Sequence, residues 1–326
     1  GGGELRAVEM TEPLQFDVTQ LRGSLREDEP MAKHVSWRAG GRAARAYVPR
    51  DLADLQVFLP MLPQQEPVCF VGLGSNLLVR DGGYPGTVVL MHDTHGEIRL
   101  EADLVFAAAG VAAPKIARFA ATHGFEGAEF LAGVPGTVGG ALAMNAGCYG
   151  GETWDCVVRA DTIDRAGRLR ARKLGDYELG YRHCALRGTA GTTLPPRAPS
   201  ISGEEWFTAA WFRFARGDGA KARARIKELL ARRIATQPLN LPNAGSVFRN
   251  PPGEHAARLI EACGLKGHAI GNARISEKHA NFIVNPDGKA HAGDIEALIE
   301  LARKTVRQRV GIDLVPEVRI IGEALR

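Results

Sequence analysis

Apolar positions along the chain recur in two periods, and the places where the period changes outline its elements. Short apolar runs predict strands at Ala46–Val48, Val68–Val71, Thr87–Met91, Leu104–Ala109 and Trp206–Phe214. Val157–Asp164 and Leu169–Lys173 flank Arg165-Ala166-Gly167-Arg168 and predict a hairpin. A helical period takes over at Asp51–Leu59, where Asp51 supplies the cap, and at Ala113–His123, where Gly124 supplies the stop. The last third has another texture. A helix is expected from about Ala220 to Thr236, and Pro238, Pro242, Pro251 and Pro252 then punctuate an irregular stretch. A further helix runs from Glu254 to Cys263 and stops at Gly264. Asn281–Val284 reads as a strand ending in the turn signal Asn285-Pro286-Asp287-Gly288. From Gly293 to Arg309, the residues Ile295, Leu298, Ile299, Ala302 and Val306 fall on one helix face. Val315–Ile321 is expected to be a strand, with Glu317 inside it.

Two segments carry no such period. Residues 1–30 are mixed and charged and read as an extension, with order beginning after Pro30. Leu194–Ser202 is rich in Pro, Ser and Thr and reads as a surface loop. No internal repeat is visible. Strands and helices interleaved in this way predict an α+β fold with a boundary near Gly217–Gly219.

Composition narrows the class. Hydrophobic residues make up 45% and charged residues 24%, a globular balance that excludes a disordered chain. The net charge of +4, from 41 basic and 37 acidic residues, gives little support for nucleic-acid binding. Arg223, Arg225, Lys227, Arg232 and Arg233 do form a basic stretch. Its helical spacing sets Ile226, Leu229, Leu230 and Ile234 opposite, which favours a solvated helix face. The five cysteines are odd in number and include no C-x-x-C pair, so they read as reduced thiols of a cytoplasmic protein. No apolar run reaches the roughly 18 residues of a membrane span, and no signal-peptide pattern opens the chain.

The 39 glycines cluster, and the clusters bring in the chemistry. Gly72-Leu73-Gly74-Ser75-Asn76 follows an apolar strand. Such a loop lets backbone N–H groups approach an anion, while Ser75 and Asn76 add side-chain donors; it suits a pyrophosphate and equally suits a tight turn. It is not the G-x-G-x-x-G fingerprint of a Rossmann fold. Gly133-Val134-Pro135-Gly136-Thr137-Val138-Gly139-Gly140, continuing to Asn145-Ala146-Gly147, predicts irregular backbone with many free N–H groups. Two such loops fit a dinucleotide. Asn243-Ala244-Gly245-Ser246-Val247-Phe248-Arg249-Asn250 sets Ser246 beside a glycine that allows an unusual backbone angle. Ser246 has neither a sequence-local base nor a nucleophile elbow, so alone it reads as a turn serine. Tyr181-Arg182 and Pro316-Glu317-Val318-Arg319 are bland by themselves. The nine histidines offer no metal-ligand spacing, and no metal is predicted.

Taken in order, Trp37-Arg38-Ala39-Gly40-Gly41, Gly72–Asn76, Gly133–Gly140, Tyr181-Arg182, Ala244–Asn250 and Pro316-Glu317 resemble the segments of UDP-N-acetylenolpyruvoylglucosamine reductases. The match runs from about Val35 to Gly322. The glycine loops alone also occur in other flavoproteins of the vanillyl-alcohol-oxidase type. The resemblance implies a two-part FAD-binding domain of that type (PCMH), with subdomains at 31–95 and 96–218 after the extension 1–30, and a C-terminal α+β substrate domain at 219–326. It implies non-covalent FAD, NADPH as electron donor and a UDP-sugar substrate in peptidoglycan precursor synthesis, and no nucleic-acid or membrane partner. A monomer is favoured.

By the same resemblance Arg182, Ser246 and Glu317 are catalytic, with Arg182 stabilising charge, Ser246 donating a proton, and Glu317 stabilising or protonating the intermediate and orienting Arg182. Gly72, Gly74, Ser75, Asn76, Gly133, Pro135, Gly136, Thr137, Gly139 and Gly140 hold the cofactor, and Asn250 contacts substrate. The chain departs from the family pattern at Cys184, where a hydroxyl residue is usual, and in the longer, Pro-rich 188–204 segment. The alternative is an FAD-dependent oxidase of the same fold acting on another small substrate. A flavin- or nucleotide-binding protein without catalysis would keep the glycine loops and have no use for Arg182, Ser246 and Glu317 together.

Overall fold

The computed structural model describes residues 17–93, 95–188 and 204–325. The loop expected at Leu194–Ser202 lies outside them.

The first sheet has four strands in the spatial order Ser24–Pro30, Arg42–Val48, Tyr84–Leu90, Val68–Val71. The first two pair antiparallel and the others parallel. Tyr84–Leu90 is buried along nearly its whole length, which is why it reads as a continuous apolar run rather than an alternating one. Helix α1 (Leu52–Phe58) buries Leu55 and Phe58 against Tyr47 and Val89, and the Tyr47 and Phe58 rings stack with centroids 3.8 Å apart. Its Asp51 cap accepts the Asp54 N–H at 2.9 Å.

One expectation is corrected here. Order begins at Ser24 or earlier, because Ser24–Pro30 is the sheet's edge strand, in register with Arg42–Val48. Its sequence SLREDEP is charged because an edge strand facing solvent needs little apolar surface.

The second sheet is antiparallel, with five strands in the order Leu169–Arg172, Val157–Asp164, Glu205–Arg213, Leu104–Ala108, Ile98–Glu101. Alternation decides its two faces. Val105, Ala107, Phe207 and Ala210 face a core shared with α2 (Ala113–Thr122), α3 (Val138–Met144) and α4 (Gly219–Thr236). Phe106 and Trp211 form a separate apolar patch, roofed by the guanidinium groups of Arg99 and Arg159.

Helix α3 is the second correction. The glycine-rich stretch turns helical at Val138 because Thr137 caps it, accepting the Gly140 N–H at 3.3 Å, and because Val138, Ala141 and Leu142 find a core to enter. That burial outweighs the poor helix propensity of glycine, about 1 kcal/mol per residue.

The third core lies among α5 (Ala256–Ala262), α6 (Ala292–Val310) and short strands at Ala269–Ile270, Ala273–Ile275 and Ile283–Val284. Helix α6 buries the predicted Ile295, Leu298, Ile299, Ala302 and Val306, and ends at Gly311, which adopts φ +78°. Trp37 enters this core from the first unit and donates its indole N–H to the Ile283 carbonyl at 2.7 Å.

The expected strand at Val315–Ile321 shortens to Arg319–Ile321, which pairs in parallel with Leu77–Val79. Glu317 lies before it, in a stretch where the N–H groups of Glu317 and Val318 both turn to the Val247 carbonyl, at 2.7 and 3.4 Å.

Candidate active site

The two glycine loops meet. Gly72 ends the strand Val68–Val71, and a Cβ placed on it would stand 2.3 Å from Thr137 Oγ1, so only a residue without a side chain lets the loops touch. Gly74 adopts φ +60°, and the chain around His34 and Val35 packs directly on it. Between the loops and the third core is a cavity of about 330 Å³, within the range of small-molecule and cofactor sites.

Gly72, Gly74, Ser75, Asn76, Gly133, Pro135, Gly136, Thr137, Gly139 and Gly140 all line the cavity. The backbone N–H groups of Gly74, Ser75, Gly136 and Thr137 have no acceptor among the described residues. Gly140 lies on α3, exposed toward the cavity. Free N–H donors on two touching loops, with glycines that let a ligand come close, fit the two phosphates of a dinucleotide.

The same cavity is lined by Arg182, Ser246 and Glu317, residues far apart in sequence. Arg182 sits in the two-residue turn between the paired strands Tyr177–Gly180 and His183–Leu186, with φ +53°. Its Nε donates to Glu317 Oε1 at 2.6 Å, and its Nη2 donates to the Gly147 carbonyl at 2.8 Å. Glu317 is fixed by its own backbone: its carbonyl accepts from Asn76 Nδ2 at 3.1 Å, and the Arg319 N–H donates to the Asn76 carbonyl at 2.9 Å. Asn76 thus belongs both to a glycine loop and to the frame of the catalytic candidates. Burial pushes the Glu317 carboxyl above the ordinary carboxylate range, and the Arg182 charge opposes that shift.

Ser246 follows Gly245, which adopts φ +70° and donates its N–H to Asn243 Oδ1 at 2.9 Å. Val247, next in the chain, donates its N–H to the Asn281 carbonyl at 2.9 Å. No histidine lines the cavity among the described residues, so Ser246 has no imidazole beside it and a serine–histidine pair is not formed.

Asn250 is placed elsewhere. It is exposed, and its carboxamide oxygen accepts the Ala256 N–H at 3.1 Å, holding the first turn of α5. That bond uses the carboxamide oxygen alone, and Asn250 lies outside the residues that line the cavity.

Other lining residues escape a reading of the sequence. Arg233 and Gln237 come from the end of α4, joined by an Arg233 Nε to Gln237 Oε1 bond at 3.2 Å. The basic stretch is therefore not wholly a solvated face, and the signal was Arg233 falling one turn before Pro238 ends the helix. Tyr149 and Cys148 also line the cavity; burial pushes the Cys148 thiol up to about 11. Arg319 lines it as well, its basicity lowered by burial and by the neighbouring Arg249 charge.

Two glycine loops and an Arg–Glu pair with a serine around one cavity define a flavoprotein oxidoreductase, with a bipartite FAD-binding fold and a third, C-terminal unit. The known proteins to which the chain is similar agree. Residues 43–171 match the FAD binding domain family, and residues 237–321 match the C-terminal domain family of UDP-N-acetylenolpyruvoylglucosamine reductase. The UDP-N-acetylenolpyruvoylglucosamine reductase of Nitrosospira multiformis is 58% identical, over 95% of this chain and 92% of that protein. That of Thiobacillus denitrificans is 57% identical, over 93% of this chain and 94% of that protein. The crystal structure of the Thermus caldophilus UDP-N-acetylenolpyruvylglucosamine reductase superposes with a TM-score of 0.73 at 28% identity, covering 92% of this chain and 99% of the other. The chain belongs to the UDP-N-acetylenolpyruvoylglucosamine reductase family.

Proposed function

We propose that the chain reduces UDP-N-acetylglucosamine enolpyruvate to UDP-N-acetylmuramate with electrons from NADPH, as a monomeric cytoplasmic enzyme of peptidoglycan precursor synthesis. The observation that carries this reading is the convergence of Arg182, Ser246 and Glu317 on the cavity that the glycine loops also line. FAD, held by Gly72, Gly74, Ser75, Asn76 and the Gly133–Gly140 loop, supplies hydride transfer when bound. No helix among the described residues is long and apolar enough to cross a membrane.

The substrate is an enol ether conjugated to a carboxylate. Hydride addition to its vinyl carbon leaves negative charge on the neighbouring carbon and the carboxylate. The Arg182 guanidinium stabilises that charge; a preorganised donor at such a position is worth about 3–4 kcal/mol. The Glu317 carboxyl accepts from Arg182 Nε and so fixes the plane of the guanidinium. Ser246 then gives its hydroxyl proton to the carbanionic carbon. A serine is a weak acid, but that carbon is a strong base, and a positioned acid accelerates such a transfer roughly 10²–10⁴-fold. NADPH and sugar nucleotide use the one cavity in turn.

The test is Ser246→Ala, followed by stopped flow in two half-reactions. The variant should bind FAD and bleach with NADPH near the parental rate, since that step delivers no proton to carbon. Return of the yellow absorbance on adding the enolpyruvyl substrate should slow on the order of 10²–10⁴-fold. Equal slowing of both steps would remove Ser246 from the role of proton donor.

A further inference from the structure

Arg182 is held from its side chain by Glu317 and Gly147, and also from behind. Its carbonyl oxygen accepts from Arg249 Nη2 at 3.2 Å. Arg249 is not on the cavity wall; it is half-buried, three residues beyond Ser246. Its backbone N–H is tied to the Val315 carbonyl at 2.9 Å, two residues before Glu317. One residue therefore touches the Arg182 turn, follows the Ser246 loop and is bonded to the Glu317 segment. The turn needs such a tie. Arg182 occupies the left-handed region at φ +53°, which is strained for a residue with a side chain. A conformation of that kind persists only where its surroundings over-determine it. Arg249 Nε is buried without a hydrogen-bond partner among the described residues, so the guanidinium is kept there at the expense of one of its own bonds.

We infer that Arg249 is a positioning residue of this site: it locks the Arg182 turn and adds a second cation behind the Arg182–Glu317 pair, for the step in which negative charge develops on substrate. The inference rests on the roles proposed above for Arg182 and Glu317. The groups facing Glu317 are Arg182 from the hairpin, Arg249 from the Ser246 loop and Arg319 on its own segment. Burial raises the Glu317 pKa, while Arg182 and, more weakly, Arg249 hold it down. If ionised Glu317 is the form that orients Arg182, activity falls as pH drops through that pKa. Removing the Arg249 charge moves the fall to higher pH.

The experiment uses the FAD-loaded enzyme and two variants. Arg249→Gln should bleach with NADPH at the parental rate. Its reoxidation by the enolpyruvyl substrate should slow on the order of 10²-fold, the effect of a misplacement of about 1 Å. The acidic limb of its reoxidation profile should move to higher pH. Arg249→Lys should return the limb to its parental place, because the charge is kept, while recovering only part of the rate. Parental reoxidation in either variant, equal slowing of both half-reactions, or a limb that stays put in Arg249→Gln overturns the inference. Should Arg249→Gln fail to fold, parental reoxidation by Arg249→Lys still overturns it. Arg182→Lys measured alongside separates two failures. If it reoxidises at the parental rate, the role proposed for Arg182 has failed; if only the Arg249 variants do, this inference alone has failed.

Discussion

Gly140→Ala separates a glycine needed by the fold from a glycine needed by a ligand. Gly140 lies within α3, with a negative φ that any residue can adopt. A Cβ there meets nothing closer than Thr137 Oγ1 at 3.6 Å, an ordinary van der Waals contact. The protein itself should accept the methyl group and gain up to about 1 kcal/mol from the better helix propensity of alanine. The methyl points into space that the cofactor is proposed to occupy. Crowding by a group of that size costs about 1–3 kcal/mol, which corresponds to a rise in Kd of roughly 5- to 150-fold. The two signs are opposite, and both are measurable on protein stripped of flavin. Urea unfolding should show a midpoint equal to or above the parent's. Titration with FAD, followed by quenching of flavin fluorescence, should show weaker binding. Parental FAD affinity would refute the close approach of cofactor at Gly140, and a fall in the urea midpoint would refute the claim that the protein has room.

Gly72→Ala should behave otherwise, because its methyl would collide with Thr137 and part the two loops; we expect weaker FAD binding and a loss of about 1–3 kcal/mol of apoprotein stability, read by the same two assays. Arg182→Lys keeps the charge but loses the planar fork that bonds Glu317 and Gly147 together, so it should retain FAD and reoxidise slowly, and turnover like the parent would contradict the role given to Arg182. Heating should release yellow flavin into the supernatant, since the Cys148 thiol in the cavity is held up to about 11 and donates to the Phe130 carbonyl; flavin retained by the precipitated chain would show a covalent bond.

How much was legible in the sequence varied with the physics that set each element. Helix α6 was readable because its apolar residues from Ile295 to Val306 recur at helical spacing over about three turns and its stop is a glycine in the left-handed region. The edge strand Ser24–Pro30 was not, because backbone pairing makes it a strand and, Leu25 apart, it brings little apolar surface to a core. Helix α3 was hidden by its glycines, whose low propensity predicts loop until the buried partners of Val138 and Leu142 are known. The site divides the same way. Its glycine loops announce themselves by composition. Arg182 and Glu317 were bland in sequence, because what sets them apart is a 2.6 Å contact between residues 135 positions apart. Arg233 was missed because a basic helix face and a cavity-facing arginine have the same spacing, and only packing distinguishes them.

The pairing of Arg319–Ile321 with Leu77–Val79 has a consequence in time. A chain emerging from the ribosome at 5–20 residues per second makes the strand Leu77–Val79 on the order of 10–50 s before its partner exists. During that interval the loop at Gly72–Asn76 lacks the segment that braces it, since Asn76 is bonded to Glu317 and Arg319. On the cofactor-holding role proposed for that loop, capture at full strength waits until the segment through Arg319 has been made. A product of premature termination short of Glu317 would lose its carboxylate and the brace of its flavin loop together, so it would not persist as a half-active reductase that consumes NADPH without turning over sugar nucleotide.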